Sequence, residues 1–301
     1  MNYGRTSLRR RAKQLDARGT RIRHKIGVIL GKLLLIGIIV GGCATVSFGV
    51  GAFKGILASA PDISEVDVIP TGYSTKVLAA DGSETAKLVA AGSNRQYVTI
   101  DQIPENLQHA VVAIEDERFY DHNGIDLKGI VRALVADVRT RDFSQGASTL
   151  TQQLIKNNVL SEQWANENDS NISKMEKMER QVQRKIQEQY LAIELEKKVN
   201  DKNWILENYL NSINLGSNTL GVQAAAQRYF GKDVSKLTLS ECAVIAGITK
   251  NPAGYNPILH PKENAKRRKN VLDAMKKQGY ISQKQYDNCL LYTSPSPRDY
   301  A

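Results

Sequence analysis

Ten residues, Glu115 to Gly124 (EDERFYDHNG), gather four acids, an arginine, two aromatics, a histidine and a turn glycine. They follow LQHAVVAI, where Leu107, Ala110, Val111 and Ile114 recur at i, i+3, i+4 and i+7, the spacing of a buried helical face. Glu115 is therefore the first acid beyond a core-facing run. Desolvation at the rim of an apolar surface disfavours the charged form of a carboxyl, which suits a general base or acid. A helix end fraying into a charged loop fits the same ten residues.

Two further clusters could take part in chemistry. Gly146 to Gln153 (GASTLTQQ) is a Gly- and Ser/Thr-rich loop entering a helix, with Lys156 one turn later. Such a loop offers free backbone N–H groups and hydroxyls to an anionic or polyhydroxylated ligand. Lys156 lies three and four residues beyond Gln153 and Gln152, on the same helical face. An ordinary Ser/Thr cap followed by exposed glutamines is the plainer alternative. In the third cluster, Arg184-Lys185-Ile-Gln-Glu188, Arg184 and Lys185 stand at i−4 and i−3 from Glu188. Taken alone this is a solvated salt-bridge ladder; in a cleft it is a second carboxylate ringed by cations.

The elements that must position these clusters read as helices almost throughout from Ile103. Asp101 and Pro104 suit the first helix start, and Asp126 the second, with Leu127, Ile130, Val131, Leu134 and Val138 on one face. A long helix is expected from Ile172 to Val199, with Met175, Met178, Val182, Ile186 and Ile193 on one side. Asp201 caps a helix bearing Trp204, Ile205, Tyr209 and Leu210, and GSN at 216–218 is a turn. A small-residue helix ends at Gly231, Thr238 and Glu241 form a capping box, and a basic helix spans Lys262 to Lys277. Residues 161–171 read as a mobile polar stretch. The closing LYTSPSPRDYA has no helical period and reads as disordered or foreign to the domain. Thr75 to Val89 reads as a β-hairpin around Asp81-Gly82, with a bracing role.

Composition separates one end of the chain from the rest. Of a formal charge of +10, the first 25 residues supply +8, from nine Lys/Arg against one acid. The basic balance belongs to that tail, so it does not argue for nucleic acid. Leu33 to Phe53 follows, 21 residues without a charge, about the 30 Å thickness of a bilayer interior as a helix. With the basic residues before it, the span reads as an uncleaved anchor that keeps the N-terminus in the cytoplasm and the rest outside. The three cysteines, Cys43, Cys242 and Cys289, have no metal-ligand spacing. Cys242 reads as core, and a Cys242–Cys289 disulfide is left open.

In form and order the three clusters resemble the motifs of glycosyltransferase family 51, the peptidoglycan polymerase module of class A penicillin-binding proteins and monofunctional transglycosylases. EDERFYDHNG is similar to E-D-x-x-F-x-x-H-x-G, GASTLTQQ to G-x-S-T-x-T-Q-Q and RKIQE to R-K-x-x-E. KNWILENYLNSINLG (Lys202 to Gly216) and RRKNVLDAM (Arg267 to Met275) resemble the fourth and fifth motifs. Ala147 stands where the family usually has a second glycine. The S-x-x-K and K-T-G signatures of a transpeptidase do not occur, and the hairpin-bearing lead-in looks like that of a class A protein. An N-terminal piece of a bifunctional enzyme is therefore expected, with a monofunctional polymerase second.

The resemblance implies a mainly α, lysozyme-like, two-lobed domain on a single transmembrane helix. The expected divisions are a basic cytoplasmic tail (1–25), a transmembrane helix (26–54), a linker with a hairpin (55–100), the glycosyltransferase domain (101–285) and a tail outside it (286–301). It implies inverting polymerisation of lipid II into β-1,4 glycan strands, with release of undecaprenyl pyrophosphate. Glu115 would be the general base, and Glu188 would assist as the second catalytic residue, positioning the donor or a pyrophosphate-bound metal ion. Lys156, Arg184, Lys185 and Arg267 would offset pyrophosphate charge. Asp116, Phe119, His122, Ser148, Thr149, Gln152, Gln153 and Asn211 would shape the substrate site, and Glu117 and Asp121 would be solvated. No cofactor is required, although a divalent cation, Mg or Mn, could sit on the pyrophosphate near Glu188. Expected partners are lipid II, the growing strand, the bacterial membrane and divisome or elongasome proteins. A membrane-anchored glycoside hydrolase acting on peptidoglycan and a non-catalytic glycan-binding scaffold are the rival readings.

Overall fold

The computed structural model describes residues 4–15, 18–64, 68–70, 72–88, 94–140, 147–161, 163–164 and 172–291. Gly146, most of the stretch 161–171 and everything after Leu291 lie outside them, so the expectations made there do too. The chain divides into two compact units, 1–59 and 60–301.

The first unit holds α1 (Arg5–Leu15) and α2 (Arg18–Ala58). Within α2, Ile22–Ala58 is long and apolar enough to cross a membrane, and the stretch is unburied. α2 runs on through the basic residues before Ile26, since Arg and Lys are good helix formers.

The second unit carries the hairpin and the helical body. β1 (Thr75–Leu78) and β2 (Glu84–Leu88) pair antiparallel, Thr75 opposite Leu88, as the Asp81-Gly82 turn predicts. Asp81 accepts from the Ser83 amide at 2.9 Å, and Gly82 takes φ +83°. Next come α3 (Glu105–Glu115), α4 (Leu127–Thr140), α5 (Leu150–Asn158) and α6 (Lys174–Val199). α7 (Lys202–Ser212), α8 (Val222–Phe230), α9 (Leu239–Ile248), α10 (Pro261–Lys277) and α11 (Gln283–Leu291) complete the body.

The caps explain where most of these helices begin. Thr149, Ser173, Asp201 and Thr238 each accept a backbone N–H with a side-chain oxygen. The Thr238–Glu241 capping box is formed as expected. Asp126 accepts from the Gly129 amide at 2.9 Å and so opens α4. Asp101 instead lies within a 3-10 turn, Ile100–Gln102, capped by Thr99, and Pro104 stands at the N-cap of α3.

α9 is the centre of the core. Every residue from Ser240 to Ile248 is buried, and the helix packs on α3 and α10. A run of small and aliphatic residues, CAVIAGI, lets neighbours approach on all sides. α5 packs between α6 and α7.

Two apolar stripes read from the sequence face largely outward. On α4, Leu127, Val131 and Leu134 face outward; among the described side chains of this helix only Gly129 and Ala133 are buried, and Val138 is outside that set. On α6, Met175, Met178 and Val182 are exposed as well, and burial begins at Gln187. Periodicity identified both apolar stripes but not the direction each faces. α11 runs across residue 285, and its Tyr286 and Cys289 join the core. Cys242 and Cys289 are both buried free thiols; burial pushes the Cys242 thiol up to about 12.

Candidate active site

Glu115 ends α3, where the core-facing run stops, and four elements converge on it. The Thr249 hydroxyl, just after α9, meets Oε1 at 2.6 Å. Gln153 of α5 donates from Nε2 to Oε2 at 3.3 Å. Arg267 of α10 brings a guanidinium nitrogen to 3.5 Å from Oε1. Behind Gln153, the α7 phenol of Tyr209 donates to Gln153 Oε1 at 3.1 Å. Full burial, and then the charges of Glu115 and Asp116, push the Tyr209 phenol well above its usual range, so it stays a neutral donor. Glu115 thus keeps a fixed orientation while remaining partly open, with 15% of its side chain exposed. It lines a hollow of about 30 Å³ with Ser148, Thr149 and Arg132 among its walls.

Asp116, the next residue, is buried and turned the other way. Both its oxygens lie 3.0 Å from His122 Nε2, and Oδ2 accepts from the Leu150 amide at 2.9 Å. One carboxylate therefore ties the loop after α3 to the first turn of α5, where an acid also complements the helix dipole. Gly124 closes this loop at φ +86°; a Cβ there would stand 2.6 Å from the Ala192 backbone of α6, so only glycine fits. Its carbonyl accepts from Thr149 Oγ1 at 2.7 Å.

The second carboxylate, Glu188 on α6, is 3% exposed and doubly paired. Arg184 reaches Oε1 at 2.6 Å and Lys185 reaches Oε2 at 3.0 Å. Lys185 Nζ also donates to Ser148 Oγ at 2.6 Å and Gln152 Oε1 at 3.0 Å. The motif is thus a partly buried polar cluster around a buried carboxylate, joining α6 to α5. Neighbouring Gln152 and Gln153 face opposite ways, one toward the Glu188 cluster and one toward Glu115. That adjacency places a single carboxylate on one flank of α5 and a cationic pair on the other.

Several expected residues sit elsewhere. Phe119 is completely buried beneath the loop, where Lys202 Nζ lies 4.7 Å from its ring centroid. Asn211 is interior too: it accepts from the Val98 amide at 3.0 Å and donates to the Val98 carbonyl at 2.8 Å, clasping the incoming chain. Both are buried and support the fold. Arg267 pairs with Glu115, away from the Arg184–Lys185 pair. Lys156 is exposed and joins neither cluster through a hydrogen bond or ion pair among the described residues. Glu117 is not simply solvated, since Arg132 holds it at 3.1 Å.

Sequence reading missed Thr249, Tyr209 as a partner of Gln153, and the tie formed by Lys202, Glu196 and Thr151. Lys202 donates to the His122 carbonyl at 2.6 Å and to Glu196 at 2.8 Å, and Thr151 donates to Glu196 at 2.6 Å. No local spacing links these residues; only a buried acid on the inner face of α6 hints at the last. For a divalent ion the residues do not fit. Among the described residues no group of three His, Cys, Asp or Glu converges, and Glu188 already spends both oxygens on cations.

The chain was compared with known proteins. The family described as transglycosylase matches residues 81–276. Penicillin-binding protein 1A/1B of Bacillus subtilis (strain 168) is 39% identical over 256 residues, 85% of this chain and 25% of that protein. Penicillin-binding protein 1A of Escherichia coli (strain K12) is 41% identical over 238 residues, 79% of this chain and 26% of its own length. The chain thus spans about a quarter of the length of these relatives. The crystal structure of penicillin-binding protein 1A from Haemophilus influenzae aligns over 75% of this chain and 21% of its own, at 25% identity and a TM-score of 0.40. The match over residues 81–276 takes in Glu115, Gln153, Glu188 and Arg267, and the chain belongs to the transglycosylase family, glycosyltransferase family 51, carried by class A penicillin-binding proteins.

Proposed function

We propose that the chain is a peptidoglycan glycosyltransferase that polymerises lipid II with inversion and releases undecaprenyl pyrophosphate. The observation that carries this reading is Glu115: a partly open carboxylate fixed by Thr249, Gln153 and Arg267, one helix away from the Arg184–Lys185 pair. In the reaction, Glu115 takes the proton of the acceptor 4-hydroxyl. That oxygen bonds the donor anomeric carbon as its bond to pyrophosphate breaks, and pyrophosphate leaves with the electron pair. A pyrophosphate leaving group needs positive charge more than a proton, and Arg184 and Lys185 supply it. Asp116 and His122 hold the loop that presents Glu115. The apolar span in α2 anchors the chain with residues 60–301 on the extracytoplasmic side, where a lipid-linked donor is within reach.

A hydrolase of finished glycan would not need two cations bound to its second carboxylate, which weighs against that alternative. Glu115→Gln keeps the shape of the side chain and removes the base. Polymerisation of fluorescent lipid II by the full chain in liposomes is expected to fall on the order of 10²–10⁴-fold, with the thermal unfolding midpoint retained. Full activity in this variant would remove Glu115 from the role of base.

A further inference from the structure

Thr249 Oγ1 lies within hydrogen-bond distance of two acceptors. It is 2.6 Å from Glu115 Oε1 and 2.8 Å from the Ala246 carbonyl, one turn back in α9. A hydroxyl has one hydrogen, so it donates to only one of them at a time. The other groups on Glu115 cannot share this flexibility. The Gln153 amide nitrogen and the Arg267 guanidinium are donors only, and Gln153 is locked from behind because its oxygen accepts from Tyr209. Thr249 alone among these three can also accept.

We propose that Thr249 is a positioning residue whose hydroxyl follows the charge of Glu115. While Glu115 is a carboxylate, the hydroxyl donates to Oε1. Once Glu115 holds the proton taken from the acceptor, with that proton on Oε1, the hydroxyl turns its hydrogen to the Ala246 carbonyl. Oγ1 then accepts from the new carboxyl O–H. Both states are satisfied by turning two O–H bonds, the Thr249 hydroxyl about Cβ–Oγ1 and the new carboxyl O–H about Cδ–Oε1, with no heavy atom moving. The proton that leaves the acceptor hydroxyl is the one that ends on Oε1, and the Thr249 hydrogen is only redirected. This inference rests on Glu115 being the base.

The test uses the full chain in liposomes with fluorescent lipid II, comparing Thr249→Val, Thr249→Ala, Thr249→Ser and Glu115→Gln. Valine removes the hydroxyl and keeps the branched shape, so kcat is expected to fall about 10-fold with KM within about twofold. Serine restores the hydroxyl and is expected within about threefold of the parent. Should the valine variant lose its thermal transition, the alanine variant is read in its place. A parental kcat in the hydroxyl-free variant overturns the inference, and so does an equal loss in the serine and hydroxyl-free variants. If Glu115→Gln is dead while Thr249→Val is parental, the base assignment stands and only the inference fails. If Glu115→Gln remains active, the base assignment itself has failed.

Discussion

Glu188 carries two full ion pairs at 3% exposure. Removing one partner of a buried pair leaves charge without compensation, and the loss commonly exceeds the worth of the pair. Arg184→Met should therefore destabilise residues 60–301 by about 2–3 kcal/mol in chemical denaturation, less than a full orphaning because Lys185 remains. The i, i+4 spacing of Arg184 and Glu188 was legible in the letters. Its burial was not, because that depends on Ser148 and Gln152 meeting Lys185 from another helix. Glu115 was legible for the same local reason, as the acid ending a core-facing run. Thr249 was not, since 134 residues separate it from Glu115. The burial of Asn211 and Phe119 was not legible either, because a motif records spacing and not the direction of a side chain.

At the scale of elements, capping was the most readable signal. Thr238 and Glu241 sit at N-cap and N3 and do what that spacing dictates. Burial raises the Glu241 carboxyl, yet the Lys232 ammonium and the Thr238 amide and hydroxyl outweigh it and hold it below its usual value. Asp126 is held low in the same way: burial lifts it, and Arg118 with the Gly129 amide lowers it further. A carboxyl depressed in the folded state contributes stability that is whole above its unfolded value, near pH 4, and is lost as pH falls through the folded value. Acid titration of unfolding should thus show stability falling below about pH 4. Glu241→Gln should flatten that slope and lower stability at neutral pH by about 1 kcal/mol. The α4 stripe was the least readable element. Its period is helical, but Leu127, Val131 and Leu134 stay exposed, because a period does not say which face meets the core.

For the whole molecule, composition alone separated the basic end, the apolar span and the helical body, because charge and hydropathy vary over tens of residues. The outward stripe of Leu127, Val131 and Leu134 leaves the body with apolar surface of the kind that binds something or associates. Residues 60–301, which contain their own core, should therefore self-associate in detergent-free buffer. Changing the three residues to serine should raise the monomer fraction in analytical ultracentrifugation. A last consequence comes from how α6 is held. Its second half is gripped along its length, by the Gly124 loop against Ala192 and by the Lys202–Glu196–Thr151 tie, while its first half projects with Met175, Met178 and Val182 bare. Mechanically this is a cantilever, and Arg184 and Lys185 sit at its fulcrum. A load on the free arm would be felt first at Arg184 and Lys185, while Glu115 on the far flank of α5 stays still.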